Sequence, residues 1–242
     1  MLDQLKLEDV LFLDIETVSQ HAEYGELPES TRKLWDKKAG YLKREAEETP
    51  ESLYGRAGIY AEFGKIICIS TGFIHGDNFR IKSFFGDDEK ILLNEFGQML
   101  NRHYCKQHHL LCGHNAKEFD FPYIARRMLI NGLELPKILK LYGKKPWEIQ
   151  HLDTMDLWRF GDYKNYTSLN LLTTIFGIPS PKDDLDGSMV GDTYWKDKDL
   201  PRIVNYCQKD TLAVAQLLLR LMGRPLINPD DVVISDEISK DS

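Results

Sequence analysis

Five side chains of this chain have the types and spacing for metal-assisted cleavage of a phosphodiester: Asp14, Glu16, Asp120, Tyr206 and Asp210. They lie in three short segments: Leu-Phe-Leu-Asp-Ile-Glu-Thr at 11–17, His-Asn-Ala-Lys-Glu-Phe-Asp at 114–120 and Tyr-Cys-Gln-Lys-Asp at 206–210. Hard divalent cations take carboxylate oxygens as ligands, and four carboxylates could serve two such ions. A tyrosine one helical turn from the last carboxylate could hold the attacking water.

Taken singly, each residue has a plainer explanation. Asp184/Asp186 and Asp197/Asp199 repeat the spacing of Asp14/Glu16, but in polar loops. Asp14 and Glu16 instead follow Val10-Leu-Phe-Leu and share one face of a strand. Two carboxylates at the end of a buried strand repel each other unless a cation neutralises them; a strand-end cap is the alternative. Asp120, just before Phe121-Pro122, suits a helix N-cap. Asn115 suits a turn. Val204, Leu212, Ala213 and Val214 surround Asp210, so its helix face should look inward, and a buried carboxylate there wants a partner.

The elements that must position these groups follow from apolar periodicity. Val10-Leu-Phe-Leu-Asp-Ile predicts a buried central strand. Residues 27–63 are charge-rich, with Leu34, Trp35, Ala39, Leu42 and Ala46 near helical spacing, and predict a helical insertion after that strand. Ile66 to Ile74 and Phe79 to Phe85, separated by Gly76-Asp77-Asn78, predict a hairpin. A helix should start at Asp87-Asp88, and a strand is expected at Leu110–His114. Pro122 should open a helix that stops at Gly132. A short strand is expected within Ile149–Asp153, a helix over Ser168–Phe176, and a long final helix from Asp199 to about Met222. The order implies an α/β domain spanning 1–225, with a mixed sheet and helices on both faces. Residues 226–242 read as an acidic C-terminal tail.

In order and spacing, these residues resemble the DEDDy branch of 3′→5′ exonucleases, within the ribonuclease H-like superfamily. The motifs are Asp14-Ile-Glu16-Thr17, Asn115 followed after three residues by Phe119-Asp120, and Tyr206 followed after three residues by Asp210. The nearest likeness is to stand-alone predicted exonucleases related to the proofreading domain of family B DNA polymerases. Phe63-Gly-Lys-Ile-Ile-Cys-Ile-Ser and Lys182-Asp-Asp-Leu-Asp-Gly-Ser add to it less specifically. The resemblance implies that Asp14 bridges two Mg²⁺ or Mn²⁺ ions, with Glu16 and Asp210 completing one site and Asp120 holding the other. It implies that Tyr206 orients the attacking hydroxide and that Thr17 and Asn115 contact the terminal nucleotide. The expected substrate is a single-stranded 3′ end, hydrolysed to nucleoside 5′-monophosphates. DNA is the first expectation, with an RNA-trimming enzyme or a catalytically silent nucleic-acid-binding module as alternatives. About fifty residues between the first motif and the second strand depart from the compact nuclease core.

The bulk numbers fit a globular enzyme. The chain has 242 residues, 42% hydrophobic and 29% charged, with a net charge of −7. That charge is against a broad duplex-gripping surface, so metals and a local basic patch must neutralise a few phosphates near a strand end. Arg126-Arg127 and the Lys- and aromatic-bearing run 137–147 are candidates for that patch. No apolar run approaches membrane length, and the N-terminal residues lack a basic-then-apolar leader. Four cysteines read as reduced thiols, so a cytoplasmic location without membrane association is expected. The segment 103–114 is rich in His and Cys, but its spacing matches no standard zinc arrangement. A proofreading or repair role would need a separate polymerase or repair partner.

Overall fold

The computed structural model describes residues 2–162, 164, 166–179 and 185–235. Among the described residues, six strands form one mixed sheet in the order β5-β4-β1-β2-β3-β6. In chain order the elements are β1 (Val10–Ser19), α1 (Glu29–Leu42), β2 (Gly64–His75), β3 (Asn78–Phe85), α2 (Glu89–His103), β4 (Leu110–Gly113), α3 (Asp120–Ile130), β5 (Leu152–Asp153), α4 (Thr154–Arg159), α5 (Leu169–Ile175), α6 (Val190–Trp195), α7 (Leu200–Leu221) and β6 (Val232–Ile234). β1 pairs antiparallel with β2 and parallel with β4, and β2 and β3 form the hairpin.

Strand alternation sorts β1 into two faces. Leu11, Leu13 and Ile15 enter a core with Phe96 of α2 and Phe121 and Ile124 of α3. Val10 and Phe12 enter a second core with Val214, Ala215 and Leu218 of α7. Val18 enters a third with Val190 and Tyr194 of α6 and Ile203 of α7. Asp14 and Glu16 share the parity of Val10, Phe12 and Val18, so they face α7 between two apolar clusters. A fully buried apolar side chain contributes roughly 1.5–3 kcal/mol. Those two clusters hold α7 against β1 despite the acids between them.

The insertion has a core of its own. Trp35 and Ala39 of α1 pack with Leu27, Leu53, Tyr54, Ala57 and Phe63, and the Trp35 indole N–H donates to the Pro50 carbonyl at 2.7 Å. The predicted helix is shorter than its pattern: it stops at Leu42, Ala46 lies beyond it, and Leu34 is exposed. A 3-10 helix at Tyr54–Ile59 returns the chain to β1. Gly64 is required there, because a Cβ would lie 2.3 Å from the Tyr123 hydroxyl and within 3 Å of the Gly58 and Val18 carbonyls.

Several expectations need correction. α3 begins at Asp120, with Phe119 at the N-cap and no side-chain cap, so Asp120 is not the capping residue. The strand expected in 149–153 is reduced to Leu152–Asp153, and α4 and α6 were not foreseen. The stretch read as a tail from 226 instead adds a strand: Val232–Ile234 runs parallel to β3 at the sheet edge. Residues 236–242 of that stretch lie outside the described residues, as does Asp184. Arg127, a candidate for the substrate groove, is buried. Its guanidinium donates from Nε to Glu89 Oε1 at 2.8 Å, from Nη2 to Glu89 Oε2, and from Nη1 to the Ala61 carbonyl at 2.8 Å. Glu89 also accepts the Ile66 amide and the Asn131 side-chain amide. This ion pair ties α2, α3, β2 and the insertion together.

Candidate active site

Three elements bring the acidic residues together. β1 carries Asp14 and Glu16 at the end of its pairing with β4, which covers only Val10–Phe12. Beyond it, the carboxylate of Asp120, in the first turn of α3, comes close enough to the Ile15 amide for that dipole to favour its charge. A register shift between Glu16 and Thr17 in the β1–β2 ladder marks a bulge at this point, a device that re-aims side chains near active sites. α7 crosses the same face. The Cys207 thiol donates toward both the backbone carbonyl and Oδ2 of Asp14, at 3.4 Å each. Tyr206 donates its hydroxyl to Asp210, one turn on.

Asp14, Glu16 and Cys207 each offer a ligand atom, all within 4.8 Å of one another. Asp120 and Asp210 stand outside that tightest group, but their charges act on it. Burial first, then Asp210 and Asp120, hold the Asp14 carboxyl well above its usual range. Burial, then Asp14 and Asp210, do the same to Glu16. Burial raises Asp120 to about 7, against the pull of its own amide and that of Ile15. Glu16 and Asp120 are 7% and 4% exposed and Asp14 and Asp210 half-buried, so water relieves this repulsion only in part. A set of buried, mutually repelling carboxylates fits a divalent cation, whose charge removes the penalty. Tyr206 is pushed well above the ordinary phenol range by burial and by Asp210, Glu16 and Asp14. It therefore stays protonated and acts as a hydrogen-bond donor.

The two candidate nucleotide contacts flank these acids. Thr17 lies near Tyr123, whose hydroxyl donates to the Gly58 carbonyl at 2.6 Å. Asn115 has φ 60°, a left-handed conformation that asparagine tolerates better than most residues. Its side-chain Oδ1 is buried without a hydrogen-bond partner, an acceptor or, with the amide turned, a donor left over for a ligand. The residue that holds this loop went unnoticed in the sequence: Asp153, 2% exposed. Its carboxylate accepts the amides of Asn115 at 2.8 Å and Lys117 at 3.0 Å while capping α4 through Met155. The signal was an acid directly before Thr-Met-Asp, a helix-start pattern. Cys207 was visible inside the third motif, but its contact with Asp14 was not.

These shifts carry a stability consequence. Between 3.8 and about 7 the native protein holds a proton on Asp120 that the unfolded chain has released. The native-state advantage is full below that window and is lost as pH rises through it. Without divalent cation, the thermal midpoint should fall between pH 5 and pH 8. Adding Mg²⁺ at pH 8 should raise it again, as a native-state ligand must. Circular dichroism melts at the two pH values, with and without Mg²⁺, would measure both; a midpoint indifferent to Mg²⁺ at pH 8 would count against a cation in this cluster.

Comparison with known proteins places these observations in a family. Among solved structures, the family B DNA polymerase of the hyperthermophilic archaeon Pyrobaculum calidifontis is similar, with a TM-score of 0.51 and 17% identity. The match covers 87% of this chain but 24% of the polymerase, so the chain spans about a quarter of that enzyme's length. It shows that the chain shares its fold, a mixed α/β sheet with helices on both faces, with about a quarter of that polymerase. No curated protein sequence matches. Residues 59–224 match the family described as predicted 3′-5′ exonucleases related to the exonuclease domain of PolB; Asp14 and Glu16 precede that stretch, while Asp120, Tyr206 and Asp210 fall inside it. With well over half of its length matched, the chain belongs to this family of predicted 3′-5′ exonucleases related to the exonuclease domain of PolB.

Proposed function

We propose that the chain removes nucleotides one at a time from the 3′ end of single-stranded DNA, releasing nucleoside 5′-monophosphates. The observation that carries this reading is the convergence of four carboxylates from three distant segments, with Glu16 and Asp120 buried and Asp14 and Asp210 half-buried, against their mutual repulsion. Asp14, Glu16, Asp120 and Asp210 would hold two Mg²⁺ or Mn²⁺ ions, since an oxygen-dominated donor set favours hard cations. Bound there, such ions would acidify a water and neutralise charge on the leaving 3′-oxygen. The chain's own residues do the positioning. The Cys207 thiol holds Asp14, and the nearby Ile15 amide favours the charged form of Asp120. The Tyr206 hydroxyl, donated to Asp210, sits where it can hold a water in line with the scissile bond. Thr17 and the unsatisfied Asn115 side chain would receive the terminal nucleotide. The lysines of 137–147, with Tyr142 and Trp147 exposed and Lys145 stacked 5.2 Å from the Trp147 ring, are the proposed path for the strand behind it. A separate polymerase or repair enzyme is the proposed partner. No helix among the described residues is long and apolar enough to cross a membrane.

The direct test is incubation of 5′-labelled single-stranded DNA and RNA with Mg²⁺ or Mn²⁺. A ladder shortening from the 3′ end that excess chelator abolishes is expected for DNA. A ladder from RNA alone would reassign the substrate, and binding without cleavage would leave a silent module. Tyr206→Phe sharpens the assignment. It removes only the hydroxyl, so the rate should drop about 10–100-fold from lost alignment, with the cation concentration for half-maximal rate nearly unchanged. A fully active variant would make Tyr206 a packing residue.

A further inference from the structure

We propose a second, transition-metal site, of the zinc class, formed by Asp9, His108 and His109 at the opposite end of β1 from the catalytic carboxylates. These three side chains each offer a ligand atom, all within 4.8 Å of one another. The sheet register sets their proximity. Val10 pairs with Leu110 in the parallel β1–β4 ladder, so Asp9 and His109 are the residues that enter the two strands side by side. A turn closed by the His109 amide on the Lys106 carbonyl then folds His108 back. His108 Nε2 lies 3.5 Å from Asp9 Oδ1, and the two imidazoles meet edge to face with centroids 4.8 Å apart.

The donor set is what distinguishes this site from the catalytic one. Two imidazoles and one carboxylate suit zinc and its neighbours, whereas Mg²⁺ selects oxygen. Three protein ligands leave a fourth position for water. The adjoining cavity, of about 620 Å³ and lined in part by Asp9 and His108, leaves room for such a water. At about 3.3 Å per residue, the five steps from Asp9 to Asp14 put the two sites roughly 16 Å apart. The inference does not rest on the exonuclease reading. Spacing within 103–114 matches no zinc pattern because the third ligand comes from the other strand of the ladder. A bound ion would clamp the entry of β1 to that of β4, the pair that carries the first and second motifs.

Calorimetric titration of Zn²⁺ into the full chain against a background of Mg²⁺, in parallel for wild type, His108→Ala and Asp9→Asn, tests this, because zinc binding that is lost with His108 or Asp9 belongs to this site whatever occupies the carboxylates near Asp14. One Zn²⁺ per chain, not displaced by Mg²⁺, is expected. His108→Ala and Asp9→Asn should each weaken it at least tenfold. His108 is exposed, so its replacement should leave the zinc-free melting point unchanged, and zinc should raise the wild-type midpoint but not that of His108→Ala. Equal zinc affinity in wild type and both variants, or no zinc retained over Mg²⁺, would overturn the proposal.

Discussion

Asp14→Asn is expected to end cleavage and, at the same time, to stabilise the metal-free protein. The carboxylate faces Asp210 and Asp120 across a buried space, and its charge is opposed by burial and by both neighbours. Asparagine keeps the size and can still accept from the Cys207 thiol, but it removes the charge. Metal-assisted chemistry at one ligand set supplies several kcal/mol of transition-state stabilisation, so the rate should fall on the order of a thousandfold or more. Removing one member of a repelling cluster should stabilise the metal-free protein by the ~0.5–2 kcal/mol usual for relieving a single unfavourable group, and so raise its midpoint. That opposition of effects is diagnostic, because an acid serving as an ordinary strand-end cap would lose stability on the same change. Melting curves without cation, beside an oligonucleotide assay, measure both; a variant that is less stable and still active would place Asp14 in structure alone.

The second large effect concerns Arg127. It is 3% exposed, and its partner Glu89 is 7% exposed. Arg127→Ala leaves a buried carboxylate without its charge partner and the Ala61 carbonyl without a donor, which costs about 3–5 kcal/mol for a pair of this kind. Chemical denaturation should show that loss directly. Replacing both partners, Glu89→Met with Arg127→Met, should recover part of it, since no lone charge remains. An Arg127→Ala protein within 1 kcal/mol of wild type would mean that water reaches Glu89 after all.

The contrast between these two sites shows what was legible in the chain. Asp14 and Glu16 could be read because alternation along a strand is a period-two rule. Tyr206 and Asp210 could be read because a helix places residues four apart on one face. Both are local rules, and the sheet order then brings the pieces together. Glu89 and Arg127 are 38 residues apart on separate helices, and no local pattern marks a charge that will be buried. Arg127 therefore looked like a surface arginine fit for phosphate. Asp153 was hidden differently: it lies in a strand of two residues, too short to show any period. The last strand was missed because three β-branched residues at 232–234 sit in acidic surroundings, and the polar context outweighed them.

That last strand has a bearing on how the molecule behaves among its copies. The two longest strands, β1 and β2 with 10 and 12 residues, are interior and hydrogen-bonded on both sides for part or all of their length. The sheet ends instead on β5 and β6, with two and three residues. Open strand edges recruit other chains by backbone pairing, and very short ones offer too few groups to do so. β6 covers Phe79, Arg80 and Ile81 of the β3 edge, the apolar stretch that would otherwise be a template for aggregation. A segment of three residues thus leaves less of the β3 edge open to pairing with another copy.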